Sequence, residues 1–311
     1  MREMTFLSDG VVCAAWHLQA ASDALTIDHK RPCVVMAHGF GGTRDTGLLA
    51  YAAGFAAAGL DVFLFDYRGF GDSEGTPRQL VSFRRQRADF HAAIAAARDL
   101  DGVDADRIVL WGTSYSGGHV VPVAVADGRV AAAVSLTPAM DGLAALLAIA
   151  RHGGPRRIGP LIGHGLRDAA RAVTGRSPHY VPVVGEPGSV AIITAPGALA
   201  GYTALAGPTW RNQVCARTAL EVAFNRPTRF AARVRFPLLV QIGQNDAVAP
   251  PAAASRAAVK AGRHAEVQTY PVDHFDVYDG PWQQRALTDQ LTFLGQHLSR
   301  PSHSTMKATR S

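Results

Sequence analysis

Ile108-Val109-Leu110-Trp111-Gly112-Thr113-Ser114-Tyr115-Ser116-Gly117-Gly118 carries an apolar strand into Gly-x-Ser-x-small and on into a helical pattern over Gly117–Asp127. A serine in such a turn stands on a sharp strand-to-helix bend with its hydroxyl presented at the tip, and small neighbours let strand and helix come close. Gly112 meets that requirement on the near side. On the far side Ser116 stands where a second glycine is usual, with Gly117 one place on; a serine is small enough to crowd the turn only modestly. Ser116 as the presented hydroxyl is the rival reading, but it would put Ser114 where the leading glycine belongs.

Similar short apolar runs recur on both sides: Cys33–Ala37, Val62–Phe65, Ala132–Leu136, Leu238–Ile242 and Val267–Tyr270. Runs of this length are what strands buried on both faces look like. Helical patterns at Leu48–Ala58, Arg84–Leu100, Ala252–Ala261 and Trp282–Leu298 alternate with them. The alternation predicts an α/β fold, a mostly parallel central sheet with helices on both faces. Ahead of it, Thr5–Leu7 and Val11–Leu18 flank Asp9-Gly10 and predict an antiparallel hairpin. One stretch breaks the rhythm. Ala139–Ala232 holds no buried strand pattern, only helical pieces (Gly142–Arg151, Ile158–Val173, Asn212–Phe224) and a Gly/Pro-punctuated segment, Pro178–Gly201. That is too long for a plain connection. A mainly helical cap insertion is expected at 139–232, with the core formed by 1–138 and 233–299 and a flexible tail at 300–311.

The 311 residues are 48% hydrophobic and 18% charged, which supports a large packed core and argues against wholesale disorder. Cys13, Cys33 and Cys215 are far apart and odd in number, so neither a disulfide framework nor a zinc site is expected. His152, His164 and His179 lack metal-ligand spacing, and Tyr180, Tyr202, Trp210 and Phe224 read as core of the inserted segment. No run reaches the length of a membrane span and the N-terminus has no apolar leader core, so a cytoplasmic protein without stable membrane insertion is expected.

A serine hydroxyl becomes a useful nucleophile only beside a base that is itself oriented by an acid. Leu239-Val240-Gln241-Ile242-Gly243-Gln244-Asn245-Asp246 ends a strand on an aspartate, and Tyr270-Pro271-Val272-Asp273-His274-Phe275 ends the next strand on a histidine. With the elbow at Ser114, these segments make the chain resemble the α/β-hydrolase superfamily over essentially its whole length. Two further segments strengthen the resemblance. Met36-Ala37-His38-Gly39-Phe40-Gly41-Gly42 is similar to the family's His-Gly-x oxyanion turn. Asp66-Tyr67-Arg68-Gly69-Phe70-Gly71-Asp72-Ser73 matches its Asp-x-Arg-Gly-x-Gly-x-Ser loop, read here as a structural support of the site. The Gly-rich turn is not a phosphate cradle, since no Gly-Lys-Ser/Thr follows it.

The resemblance implies Ser114 as nucleophile, His274 as general base and then acid, and Asp246 as the group holding the imidazole tautomer. It also implies backbone N–H groups of Phe40 and Tyr115 as oxyanion donors. Asp141 is the other candidate acid, with a helix N-cap as its plainer role; Asp273 sits beside His274 and is read as pointing away. A serine at the elbow, where epoxide hydrolases and haloalkane dehalogenases carry a carboxylate, implies acyl transfer: cleavage of a carboxylic ester through an acyl-enzyme on Ser114, without cofactor or metal. A thioesterase or acyltransferase on CoA- or carrier-bound acyl groups is the alternative. A peptidase for small N-terminal residues and a ligand receptor on a hydrolase fold are further ones. The partner is then a small-molecule acyl ester or thioester; the oligomeric state is left open.

The net charge of +6 first suggests nucleic acid. Its location says otherwise. Residues 139–232 hold ten arginines against four acids, the tail adds three cations, and the core is net negative. No basic motif interleaved with aromatics is present, so no nucleic-acid partner is expected. A solvated arginine surface is the plain reading; steering of an anionic substrate is the functional one.

Overall fold

The structure is a computed structural model that describes residues 1–153 and 155–299; the tail expected at 300–311 lies outside them, as does the side chain of His152. In chain order its strands are β1 (Arg2–Ser8), β2 (Val11–Leu18), β3 (Arg31–Ala37), β4 (Asp61–Phe65), β5 (Val103–Thr113), β6 (Ala132–Leu136), β7 (Tyr180–Val181), β8 (Val214–Cys215), β9 (Leu238–Gly243) and β10 (Ala265–Tyr270). All but β7 and β8 form one eight-stranded sheet in the order β1-β2-β4-β3-β5-β6-β9-β10. The expected hairpin pairs β1 with β2 antiparallel, β2 also runs antiparallel to β4, and the remaining neighbours are parallel.

Alternate residues of the central strands serve opposite faces, which is why the runs are continuously apolar. Cys33, Val35, Ala37, Ile108 and Leu110 pack on one side with α2 (Phe83–Arg98), α3 (Ser114–Asp127) and α8 (Pro251–Ala261). Val34, Met36, Val109 and Trp111 pack on the other with α1 (Leu49–Ala57) and α9 (Gly280–Leu298). The chain leaves β3 for β4 on one side and reaches β5 on the other. The carboxyl ends of β3 and β5 therefore form a crevice, the usual ligand position in open α/β sheets.

The segment between β6 and β9 lies over that crevice. It contains α4 (Gly142–Gly153), α5 (Pro155–Val173), α6 (Ala198–Ala204), α7 (Thr218–Glu221) and the antiparallel ribbon of β7 with β8. Two expectations change here. Asn212–Phe224 is not one helix, because Val214–Cys215 pairs with Tyr180–Val181 and the Cys215 N–H donates to the Gln79 carbonyl at 2.8 Å. Such pairing partners are remote in sequence, so a local helical pattern cannot reveal them. Phe224, read as core, is 72% exposed. His164 and His179 meet directly, Nδ1 to Nε2 at 2.7 Å, with stacked rings.

Candidate active site

β5 arrives extended at Thr113, and Ser114, the first residue of α3, takes φ +55°. A left-handed serine costs on the order of 1–2 kcal/mol and persists only where its surroundings determine it. Here the Ser114 carbonyl accepts the Ala139 N–H at 2.8 Å. A Cβ on Gly112 would lie 2.3 Å from the Ser116 carbonyl oxygen, so only glycine lets strand and helix approach this closely. Ser116, in place of the second glycine, is wholly buried; its hydroxyl donates to the His38 carbonyl and lies 2.7 Å from the Tyr67 hydroxyl. The two serines thus have different employment. Ser116 ties the elbow to the turn after β3, while Ser114 Oγ lies 3.0 Å from His274 Nε2.

His274 follows β10, and its Nδ1 lies 2.7 Å from Asp246 Oδ2, after β9. The other Asp246 oxygen accepts the N–H groups of Val248 and Ala249 at 2.8 and 2.6 Å. Those two donors turn one face of the carboxylate away from the imidazole and leave the other for it. All three side chains are buried. Asp273 Oδ1 accepts the N–H groups of Ala247 and His274, which joins the aspartate and histidine loops and directs that oxygen away from the ring. Asp141 caps α4 through the N–H groups of Leu143 and Ala144 and forms an ion pair with Arg226 at 3.0 Å. It is elsewhere engaged.

Tyr115 lies in the first turn of α3, where backbone N–H groups lack intrahelical acceptors. The rings of Phe40 and Tyr115 meet edge to face at 5.3 Å, and a Cβ on Gly39 would lie 3.2 Å from Ser114 Cβ. The sequence-predicted oxyanion pair is therefore gathered around the serine. His38 donates from Nδ1 to the Gly39 carbonyl at 3.0 Å, and Nε2 has no partner among the described residues. Burial lowers its pKa to about 4, so the ring is neutral near pH 7. His119, also buried, is held well below its ordinary value by burial and by Arg87. Below pH 6.5 the unfolded chain takes up protons that these two rings refuse. Stability is therefore present above that pH and lost as pH falls, by about 1.4 kcal/mol per unit for each ring. Asp66, raised to about 7 by burial, contributes in the opposite sense over this range, so the test is the difference between proteins. His119→Asn should make the melting temperature fall less steeply from pH 6.5 toward 5 than it does in wild type, and an unchanged slope would refute the assignment.

Two cavities flank Ser114. The larger, about 310 Å³, is walled by Leu146, Leu161, Ile162, Ile193, Leu220 and Val248 among other apolar side chains, with Asp141 and Asn225 as polar exceptions. The smaller, about 20 Å³, lies between Ser114, His274, Tyr202 and Tyr278. Among the described residues no group of three or more His, Cys, Asp and Glu side chains could hold a metal ion, and no helix is long and apolar enough to cross a membrane.

Sequence reading missed two contacts. The Tyr202 hydroxyl donates to the Phe40 carbonyl at 2.7 Å and the Trp210 indole to the Gly41 carbonyl at 3.1 Å. Backbone carbonyls have no sequence signature, so nothing in the chain announced them. In the Asp66–Ser73 loop, Asp66 and Arg68 do not pair with each other: Asp66 holds Arg44 and Arg68 holds Asp89. That places the loop as a support, with Tyr67 its member nearest the elbow.

This sheet, its crevice and the serine turn at the end of β5 define a class, and the comparisons with known proteins agree. The chain belongs to the α/β-hydrolase superfamily. The serine aminopeptidase (S33) family matches residues 28–181. The quorum-quenching protein AidA of Acinetobacter baumannii is 39% identical over 294 residues, covering 94% of this chain and 93% of its own. A thiohydrolase of Aspergillus aculeatus is 38% identical over 110 residues, 35% of each chain. The solved α/β hydrolase GrgF of a Penicillium species superimposes with a TM-score of 0.78 over 96% of this chain and 98% of its own, at 24% identity.

Proposed function

We propose that this protein is a serine hydrolase that cleaves a carboxylic ester or thioester of an apolar acyl group through an acyl-enzyme on Ser114. The observation that carries the reading is the hydrogen-bonded series Asp246–His274–Ser114 at the mouth of an apolar cavity of about 310 Å³. His274 Nε2 takes the Ser114 proton as Oγ attacks the acyl carbon, and the Phe40 and Tyr115 N–H groups meet the developing oxyanion. The proton then passes from His274 to the leaving alcohol or thiol. A water activated by the same nitrogen releases the acid and returns Ser114. The segment over the crevice serves as the cap, and its α4 and α5 residues hold the acyl chain.

The thiohydrolase relative supports the thioester arm, and the quorum-quenching relative supports a small-molecule substrate. The matched aminopeptidase family raises the peptide reading again. A free substrate amino group needs an unpaired anion, and Asp141, the carboxylate on the larger cavity's wall, is already neutralised by Arg226. Arg217 likewise pairs with Asp168, so part of the arginine excess is structural.

A panel of p-nitrophenyl esters of increasing chain length, acyl-CoA thioesters and aminoacyl amides tests the proposal. Rates on the ester or thioester series should rise with chain length; activity confined to the amides would overturn it. Ala219→Phe, which fills part of the cavity wall, should cut kcat/KM on long acyl groups at least about tenfold while sparing acetyl esters.

A further inference from the structure

Three consecutive carbonyls of the turn after β3 are each held by a hydrogen bond, and two of the donors come from the segment over the crevice. Gly39 accepts His38 Nδ1 and the Gly42 N–H, Phe40 accepts the Tyr202 hydroxyl, and Gly41 accepts the Trp210 indole. Tyr202 and Trp210 stack with centroids 5.2 Å apart, so the two donors form one rigid unit. Around them, the Thr209 N–H and hydroxyl both donate to Asp45 Oδ2 at 2.9 Å. Gly41, at φ +65°, packs so tightly on Val183 that a Cβ would lie 2.8 Å from a valine methyl. The turn that carries the Phe40 N–H is therefore embedded in the inserted segment as much as in the sheet.

We infer that Tyr202 and Trp210 are positioning residues for the oxyanion site: they hold the Phe40–Gly41 and Gly41–Gly42 peptide planes, which directly follow the Gly39–Phe40 peptide that carries the Phe40 N–H, and together with the His38 bond to the Gly39 carbonyl they fix the turn so that this N–H faces the reacting oxygen. The inference rests on the acyl-enzyme reading above. An oxyanion donor works only within a few tenths of an ångström of its place, because its advantage is that it need not reorganise as charge develops. A flexible glycine turn, Gly39-Phe40-Gly41-Gly42, does not hold such a place unaided. Packing alone would be satisfied by phenyl rings, whereas here both polar tips are directed at carbonyls. The consequence is that the segment over the crevice completes the catalytic machinery as well as walling the acyl cavity.

The test is Tyr202→Phe and Trp210→Phe, singly and together, with kcat and KM on an ester the wild type hydrolyses and the Ki of a boronic acid that mimics the tetrahedral adduct. Each single variant should lose about tenfold in kcat and the double about a hundredfold, with KM within about twofold and the boronic acid weakened in step with kcat. Thermal melting of the variants should stay near wild type because the stacked rings remain. Retention of kcat in the double variant would overturn the inference, as would a kcat loss with boronic acid affinity unchanged. Wild-type labelling at Ser114 by a fluorophosphonate reads the underlying proposal separately: no labelling removes the acyl-enzyme itself, whereas labelling with unaltered variants removes only the roles of Tyr202 and Trp210.

Discussion

Alanine at Ser114 will reduce ester hydrolysis by about 10⁶-fold, and alanine at His274 by a similar factor, with the double variant no worse than either. The reason is the single contact between them: Oγ and Nε2, 3.0 Å apart, do one step together, so removing either half removes the step. Ser114→Ala keeps a left-handed alanine in the elbow and so costs the fold only about 1 kcal/mol beyond the strain already there. Circular dichroism and melting should therefore resemble wild type, and fluorophosphonate labelling should vanish. Ser116→Ala tests the rival serine. Its hydroxyl holds the His38 carbonyl and Tyr67 and faces no base, so that variant should keep labelling and lose about tenfold in rate as the turn after β3 slackens. Labelling that survives Ser114→Ala and disappears in Ser116→Ala would reverse the assignment.

Much of this could be read from the chain because the relevant signals are local. A two-face-buried strand must be apolar throughout, and a strained serine turn must have small residues beside it, so β3, β5 and β9 and the Gly112-Thr113-Ser114 bend are written in consecutive residues. What was illegible is non-local. The β7–β8 ribbon joins residues more than thirty positions apart, and Val214–Cys215 carries no alternation of its own to mark it as a strand. Tyr202 and Trp210 read as packing because a ring and its polar tip look alike in sequence whichever way the tip points. The role of Ser116 lay between: its small size was evident, but its bond to the His38 carbonyl depends on how closely β3 and α3 approach.

Asp246→Asn should lower kcat about 10⁴-fold with little change in melting temperature, and the backbone around it explains the asymmetry. Oδ1 accepts two N–H groups, from Val248 and Ala249, and an amide nitrogen cannot take that place without opposing both donors. The asparagine is therefore forced to keep its carbonyl oxygen on the backbone and present its NH₂ to His274 Nδ1. The imidazole must then accept at Nδ1 and carry its proton on Nε2, the nitrogen that faces Ser114. A ring in that tautomer donates to the serine when it should accept from it. Geometry is retained and chemistry is lost. The neighbouring acids provide the contrast: Asp273→Asn loosens the join between two loops, Asp141→Asn frees Arg226 and weakens a cap, and neither alters the tautomer. Those variants should retain kcat within about tenfold. A measured kcat for Asp246→Asn within tenfold of wild type, or a four-order loss in Asp141→Asn instead, would move the orienting acid to another residue.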